Sequence, residues 1–278
     1  MIKSIVVPKN HGQKYYDLHY LFFINLAKAV GITVEYKDFE HDYLEAQADG
    51  KRILIDYGDH TWLPENIDEY DIVFKFHYSK YTHVKTPHLY PLTPISFYDW
   101  DEYEHLQQEI TYTVESNMVL NNQTPGAGAK ERREKVQSML EEEYGENFDK
   151  TITSKQEFWN KINNCLVSVC VPGARNDMLD RGQFQYWAFG ACTISPRLDL
   201  RLPHWREPMP GLHYVECADD YSDLIEKIEW CRKHRAECKF IGAAAKKMFL
   251  YSCTPECIWT WINACLLNEE ELWKNSVK

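Results

Sequence analysis

The chain has 278 residues, 44% of them hydrophobic and 14% aromatic, and a formal net charge of −11. That length holds one large domain or two small ones around an ordinary buried core. The acidic balance argues against general nucleic-acid binding, because a phosphate backbone repels it, and no apolar run approaches the length of a membrane span. The N-terminal MIKSIVVPKNHG turns polar too soon for a secretory signal. Nine cysteines occur without a CxxC pair, and Cys253 and Cys257 stand at helical spacing. This pattern suits reduced, mostly buried thiols in a cytoplasmic protein. EF-hand, HExxH and Walker patterns are absent.

In chain order, the first strand is predicted at 4–7. A helix over 16–30 follows, with Leu18, Leu21, Phe22, Ile24, Leu26 and Ala29 on its apolar side and Gly31 at its end. Further strands are predicted at 33–36, 51–56 (KRILID), 71–77 (DIVFKFH) and 94–98. Strands alternating with helices favour a mainly parallel sheet, here with short or missing crossovers. Residues 101–108 read as a helix or linker, and 109–114 as the first strand of a second set. NNQTPGAGA (121–129) is a flexible loop by composition, and a charged helix spans 130–144. Trp159 falls on the next helix. Strands at 167–171 and 191–194 flank a helix whose body is 183–189, with Asp177 able to cap it and Gly190 ending it. A strand at 212–215 and helices over 221–235, 240–251 and 255–274 complete the chain. The resulting expectation is an α/β protein with two domains, 1–105 and 106–278, the last helix being free to pack back on the first.

Residues 166–203 carry the strongest chemical signal. Arg175, Arg181, Arg197, Arg201 and Arg206 lie in or near this stretch, and no lysine occurs between Lys161 and Lys227. Arginine grips phosphate through two parallel hydrogen bonds, and a helix start offers free N–H groups to an anion. Given the acidic chain, these basic loops are expected to face a small anion rather than a polymer.

The stretch Pro172-Gly173-Ala174-Arg175…Arg181…Gln185…Phe189-Gly190-Ala191-Cys192 resembles the donor-site motif of exostosin-like glycosyltransferases. VECADDYSDLIEKIEWCRKHR is similar to that family's valine strand and acidic-capped helix. The resemblance covers roughly residues 109–250. Size and style are similar to the small β-xylosyltransferases of large algal DNA viruses. It implies a GT-B-like fold, two Rossmann-type domains facing across a cleft, with the first on the acceptor side and the second binding a nucleotide sugar. Gln185 stands where the family usually has an acid that accepts ribose hydroxyls, and Gly182 replaces a frequent second arginine.

The implied reaction is metal-independent, inverting transfer of a sugar, xylose by best guess, from a UDP-sugar to a saccharide hydroxyl in glycan synthesis. Cofactors and metals are not required, and the expected location is cytoplasmic (host cytoplasm if viral). Arg175 and Arg181 would hold the diphosphate, with Gly173, Asn176, Gln185, Arg132, Arg133 and Arg197 as further donor-side candidates. Asp99-Trp100-Asp101 has the letters of a metal-binding DxD but falls near the domain join. The acceptor base is expected at a carboxyl end in the first half. Asp59 ranks first, His60 second and His11 third, because a glycine turn in IDYGDH delivers the first two directly after a strand. Asp56 and His77, also at carboxyl ends of predicted strands, are further candidate bases. His77, Tyr57 and Trp62 are candidate acceptor contacts, since aromatic faces suit sugar C–H surfaces. Lys75, on the same strand face as His77, suits a buried ion pair as well as a donor contact. Open alternatives are another nucleotide-sugar donor, retaining chemistry, or an inactive nucleotide-sugar-binding module. A nucleotide-dependent oxidoreductase is disfavoured, because no GxGxxG follows the first strand.

Overall fold

A computed structural model describes residues 2–9, 14–38, 44–58, 61–92, 100–173 and 177–268. It shows an α/β protein with two sheets and two compact units. The first unit is Met1–Tyr103 with Leu200–Glu207 and Tyr251–Lys278; the second is Glu104–Asp199 with Pro208–Leu250.

The first unit carries β1 (Ser4–Pro8), α1 (Lys14–Ala29), β2 (Thr33–Lys37), β3 (Leu44–Ala48), β4 (Lys51–Asp56), β5 (Ile72–Lys75), β6 (Leu89–Pro91) and the start of α2 (Trp100–Glu109). Its sheet order is β2-β1-β3-β4-β5-β6. β1 is parallel to β2, and β4 to β5 to β6, but β3 runs antiparallel to both neighbours. The sheet is mainly parallel as expected, and a hairpin that the sequence reading did not predict inserts one antiparallel strand. Asp49 and Gly50, both at positive φ (51° and 78°), make the two-residue turn that joins β3 to β4. Two left-handed central residues match the twist of paired strands, and Asp-Gly is a favoured pair there. The predicted strand at 94–98 lies outside the described residues; the edge strand is β6.

The second unit contains β7 (Val119–Leu120), α3 (Lys130–Tyr144), β8 (Phe148–Asp149), α4 (Lys155–Asn160), β9 (Val167–Val169), α5 (Arg181–Ala188), β10 (Thr193–Ser195), β11 (Val215–Glu216), α6 (Leu224–Lys233) and α7 (Arg235–Cys253). All strand pairs in its sheet, β11-β10-β9-β7-β8, are parallel. The strand predicted at 109–114 is not one. Ile110, Tyr112 and Val114 are buried in strand-like alternation, yet the backbone has no ladder partner. Val114 turns at φ 58°, and Arg235 holds that turn by donating to Val114 O and, at 2.7 Å, to Ser116 O.

Helix starts and stops follow local chemistry. Asp180, not Asp177, caps α5, accepting from Gly182 N at 2.8 Å. Gly190 ends the turn after α5 at φ 78°. His234 leaves helical geometry (φ −123°, ψ 54°) and separates α6 from α7. Thr254 caps α8 (Pro255–Leu266), with Pro255 in its first turn. α8 packs within the first unit, where Trp261 Nε1 donates to Pro91 O at 2.8 Å and Trp259 meets Phe23 at 5.2 Å between ring centroids. Among the described residues, no helix is long and apolar enough to cross a membrane.

Candidate functional site

In the second unit, strand order reverses beside β7. The chain goes from β7 outward to β8, then returns to the other side of β7 as β9 and continues to β10 and β11. Parallel strands that part in this way leave a crevice beyond their carboxyl ends, which is where open α/β sheets bind ligands. Here two chains leave that point. One is Asn121–Ala129, running into α3; the other is Cys170–Gly173.

Side chains lace the two together. Gln123 imitates a strand backbone: its Oε1 accepts from Val171 N at 2.6 Å, and its Nε2 donates to Val171 O at 3.1 Å. Asn121 Nδ2 donates to Val169 O at 2.8 Å, and Gln137 Nε2 donates to Asn121 Oδ1 and Gln123 O, both at 2.9 Å. These buried and half-buried amides satisfy the backbone where the sheet ladder stops. Gly128 lies close to the second chain, since a Cβ built on it would stand 3.9 Å from Gly173 O.

Arg132 and Arg133 belong to this lacing. Arg132 Nη2 donates to Pro172 O at 3.0 Å and Gly173 O at 2.9 Å. Its Nε is buried with no hydrogen-bond partner among the described residues. Arg133 donates to Val171 O through Nε (3.1 Å) and Nη2 (3.0 Å), to Thr124 O through Nη1 (2.8 Å), and pairs with Asp180 at 3.2 Å. Main-chain carbonyls thus engage Nη2 of Arg132 and Nε, Nη1 and Nη2 of Arg133. Two helices begin here, and they differ. The start of α5 is occupied by its own Asp180 carboxylate. The start of α3 follows Ala129, which has no side-chain cap; a 3₁₀ turn over Ala127–Ala129, with Ala129 N donating to Gly126 O at 3.2 Å, leads straight into it, and the positive end of a 15-residue helix lies there.

The remaining donor-side candidates do not form one cluster. Arg181 opens α5 and is exposed, Arg197 is exposed after β10, and Gln185 is buried on α5. Arg175 and Asn176 lie outside the described residues. Arg201 and Arg206 belong to the first unit. There Arg201 binds Glu207 at 2.8 Å, and Arg206 lies over the Tyr251 ring at 4.8 Å.

In the first unit, Asp59, His60 and His11 lie outside the described residues. On either side of residues 59 and 60, the described chain is fixed by Asp56 and Lys75, both weighed from the sequence, and by His83, which the sequence reading did not single out. After β4, Asp56 Oδ1 accepts from Gly58 N at 2.7 Å. Lys75, fully buried, pairs with Asp56 at 2.9 Å and donates to Gly58 O at 2.9 Å. Lys75 is therefore the buried ion pair rather than a donor contact, and Asp56 is committed to it. Beyond residues 59 and 60, buried His83 accepts from Ser79 N at Nδ1 (3.0 Å), so its proton sits on Nε2 and is donated to Thr61 O at 2.6 Å. Both flanks of the segment 59–60 are thus anchored. Tyr57 and His77 are buried, while Trp62 is 64% exposed. Burial pushes the Tyr57 phenol far above its usual range, keeping it neutral.

A groove of about 360 Å³ runs beside β11, α6 and α7, lined by Pro210, Trp230, Phe240 and Ile241 with Glu216, Glu226 and Glu237. It contains none of the residues above. Three carboxylates against Lys227 alone make it unfavourable for a diphosphate.

No family model matches the chain. A stretch of 40 residues is 50% identical to part of the uncharacterized protein 179R of Invertebrate iridescent virus 6, covering 14% of this chain and 3% of that protein. Another match, 46% over 41 residues, is to the uncharacterized protein 027R of Frog virus 3 (isolate Goorha), covering 15% of this chain and 4% of that one. Among solved structures, a glycosyltransferase from Rickettsia africae ESF-5 is similar with a TM-score of 0.48 and 12% identity, over 97% of this chain and 84% of that one. A likeness at that level bears on neither fold assignment nor activity.

Proposed function

We propose that the second unit binds a nucleoside diphosphate sugar at the β7/β9 crevice and that the chain is a glycosyltransferase of GT-B type. The observation that carries this reading is the all-parallel sheet whose order reverses at β7, with a glycine-containing loop leading into the uncapped start of α3. Gly126 and Gly128 let backbone approach a diphosphate closely. The α3 N–H groups, the buried Arg132 Nε–H and the exposed Arg181 are donors of the right sign, with Arg175 the further candidate. Arg133 positions the two loops.

In the proposed reaction an acceptor hydroxyl loses its proton to Asp59, with His60 and His11 as the other candidate bases. The oxygen then attacks the anomeric carbon opposite the diphosphate, and the bond from that carbon to the phosphate oxygen breaks with inversion. Arginines and backbone N–H groups stabilise the charge that develops on the leaving diphosphate, in place of a metal ion. A positioned base typically contributes about 10²–10⁴-fold. UDP-xylose is the proposed donor and a saccharide the acceptor.

A thermal-shift panel of UDP- and GDP-sugars tests the donor directly, because a ligand that binds only folded protein raises its melting temperature. UDP-xylose is expected to give the largest shift. Arg181→Ala is expected to weaken that binding by about tenfold or more, the scale of a hydrogen bond to a charged group. Turnover is expected to persist in excess chelator; loss that manganese restores would overturn metal independence.

A further inference from the structure

Three cysteines, one of them some forty residues before the other two, meet in the core of the second unit. Cys192 lies between α5 and β10, Cys231 in α6 and Cys238 in α7. Their Sγ atoms all lie within 4.8 Å of one another, and all three residues are buried. The backbone brings them together by two devices. The helix breaks at His234, and across that break Cys238 Sγ donates to Cys231 O at 3.6 Å. Gly242, one turn beyond Cys238 on the same helix face, packs flush against Gly190; a Cβ there would stand 1.9 Å from Gly190 O. That approach carries Cys238 over Cys192, two residues after Gly190.

We propose that Cys192, Cys231 and Cys238 form a structural thiolate site for one soft d¹⁰ metal ion, independent of the nucleotide site. An ion about 2.3 Å from each of three sulfurs holds them about 4 Å apart, so loading draws the cluster in by less than about 1 Å. No His, Asp, Glu or further Cys joins the group among the described residues. A dry, sulfur-only, three-coordinate site favours a thiophilic ion over a hard one. On binding, thiols lose their protons to solvent as sulfur–metal bonds form, and nothing is oxidised or reduced. Affinity therefore falls as pH is lowered. The bound ion would fasten the α6–α7 corner to the sheet.

Cadmium is a suitable probe, because its bonds to thiolates absorb in the ultraviolet. Reduced full-length protein titrated with Cd²⁺ should take up one ion per chain with a charge-transfer band and a raised melting temperature. Cys231→Ser should lose all three signals, whereas Cys257→Ser, at the half-buried cysteine outside the cluster, should keep them. Should Cys231→Ser fail to fold, Cys192→Ala provides the same test. Retention of the band in either cluster variant overturns the site. So does wild-type protein that binds no Cd²⁺ at micromolar concentration, whether it shows nine free thiols or a disulfide among these three.

Discussion

The two sheets are wound alike but end differently. With β3 set aside, the parallel strands of the first run β2-β1-β4-β5-β6, the same order as β8-β7-β9-β10-β11 in the second. In the first unit the place where strand order reverses is filled by the antiparallel strand β3. In the second, β7 and β9 are direct neighbours. Their departing chains are held apart and tied by amides and guanidinium groups. The same winding therefore has its reversal point occupied by a strand in the first unit and without an intervening strand in the second. The polar groups differ accordingly: the first unit buries a lysine and an aspartate to turn one chain, whereas the second holds a buried arginine N–H without a hydrogen-bond partner among the described residues, beside a helix start that has no side-chain cap.

Three substitutions break or sharpen this contrast. The largest effect is expected for Lys75→Ala, which strands Asp56 without its buried partner. Removing one member of such a pair costs about 3–5 kcal/mol, read by urea unfolding. A loss below about 1 kcal/mol would mean the pair is solvated and the first unit's carboxyl edge is open. Next is Gly242→Ala, where the new methyl meets the Gly190 carbonyl; overpacking of this kind costs about 1–3 kcal/mol. Unchanged stability would refute the close approach of α7. The smallest is Asp180→Asn, which keeps an oxygen to cap α5 but removes the charge paired with Arg133; it is expected to cost about 1 kcal/mol while leaving UDP affinity intact in calorimetry. A marked loss of affinity would move the anion site from the start of α3 to that of α5.

Long, well-bounded elements were legible in the sequence. KRILID forms β4 over the residues predicted, and the charged run 130–144 is α3. Short elements were not. β7 and β8 have two residues each, too few for a period to show, and the alternation at 109–114 misled because burial alternates there without pairing. The β3–β4 hairpin did have a signal, Asp49-Gly50, which was passed over. The crevice was half visible. The strand, the Pro172-Gly173 turn and the arginines stand out in the sequence, but NNQTPGAGA reads by composition only as a flexible loop, with nothing to tie it to the crevice. Two of the arginines, Arg132 and Arg133, turn out to bind carbonyls, a fate that residue type alone does not reveal. The thiol cluster had no signal at all, because positions 192, 231 and 238 follow no ligand spacing.

A crystal structure with uridine diphosphate bears most directly on the central claim. The diphosphate is expected over residues 126–129 and the first turn of α3, against Val171–Gly173. Density for the nucleotide in the acidic groove beside β11, or none at saturating concentration, would contradict it.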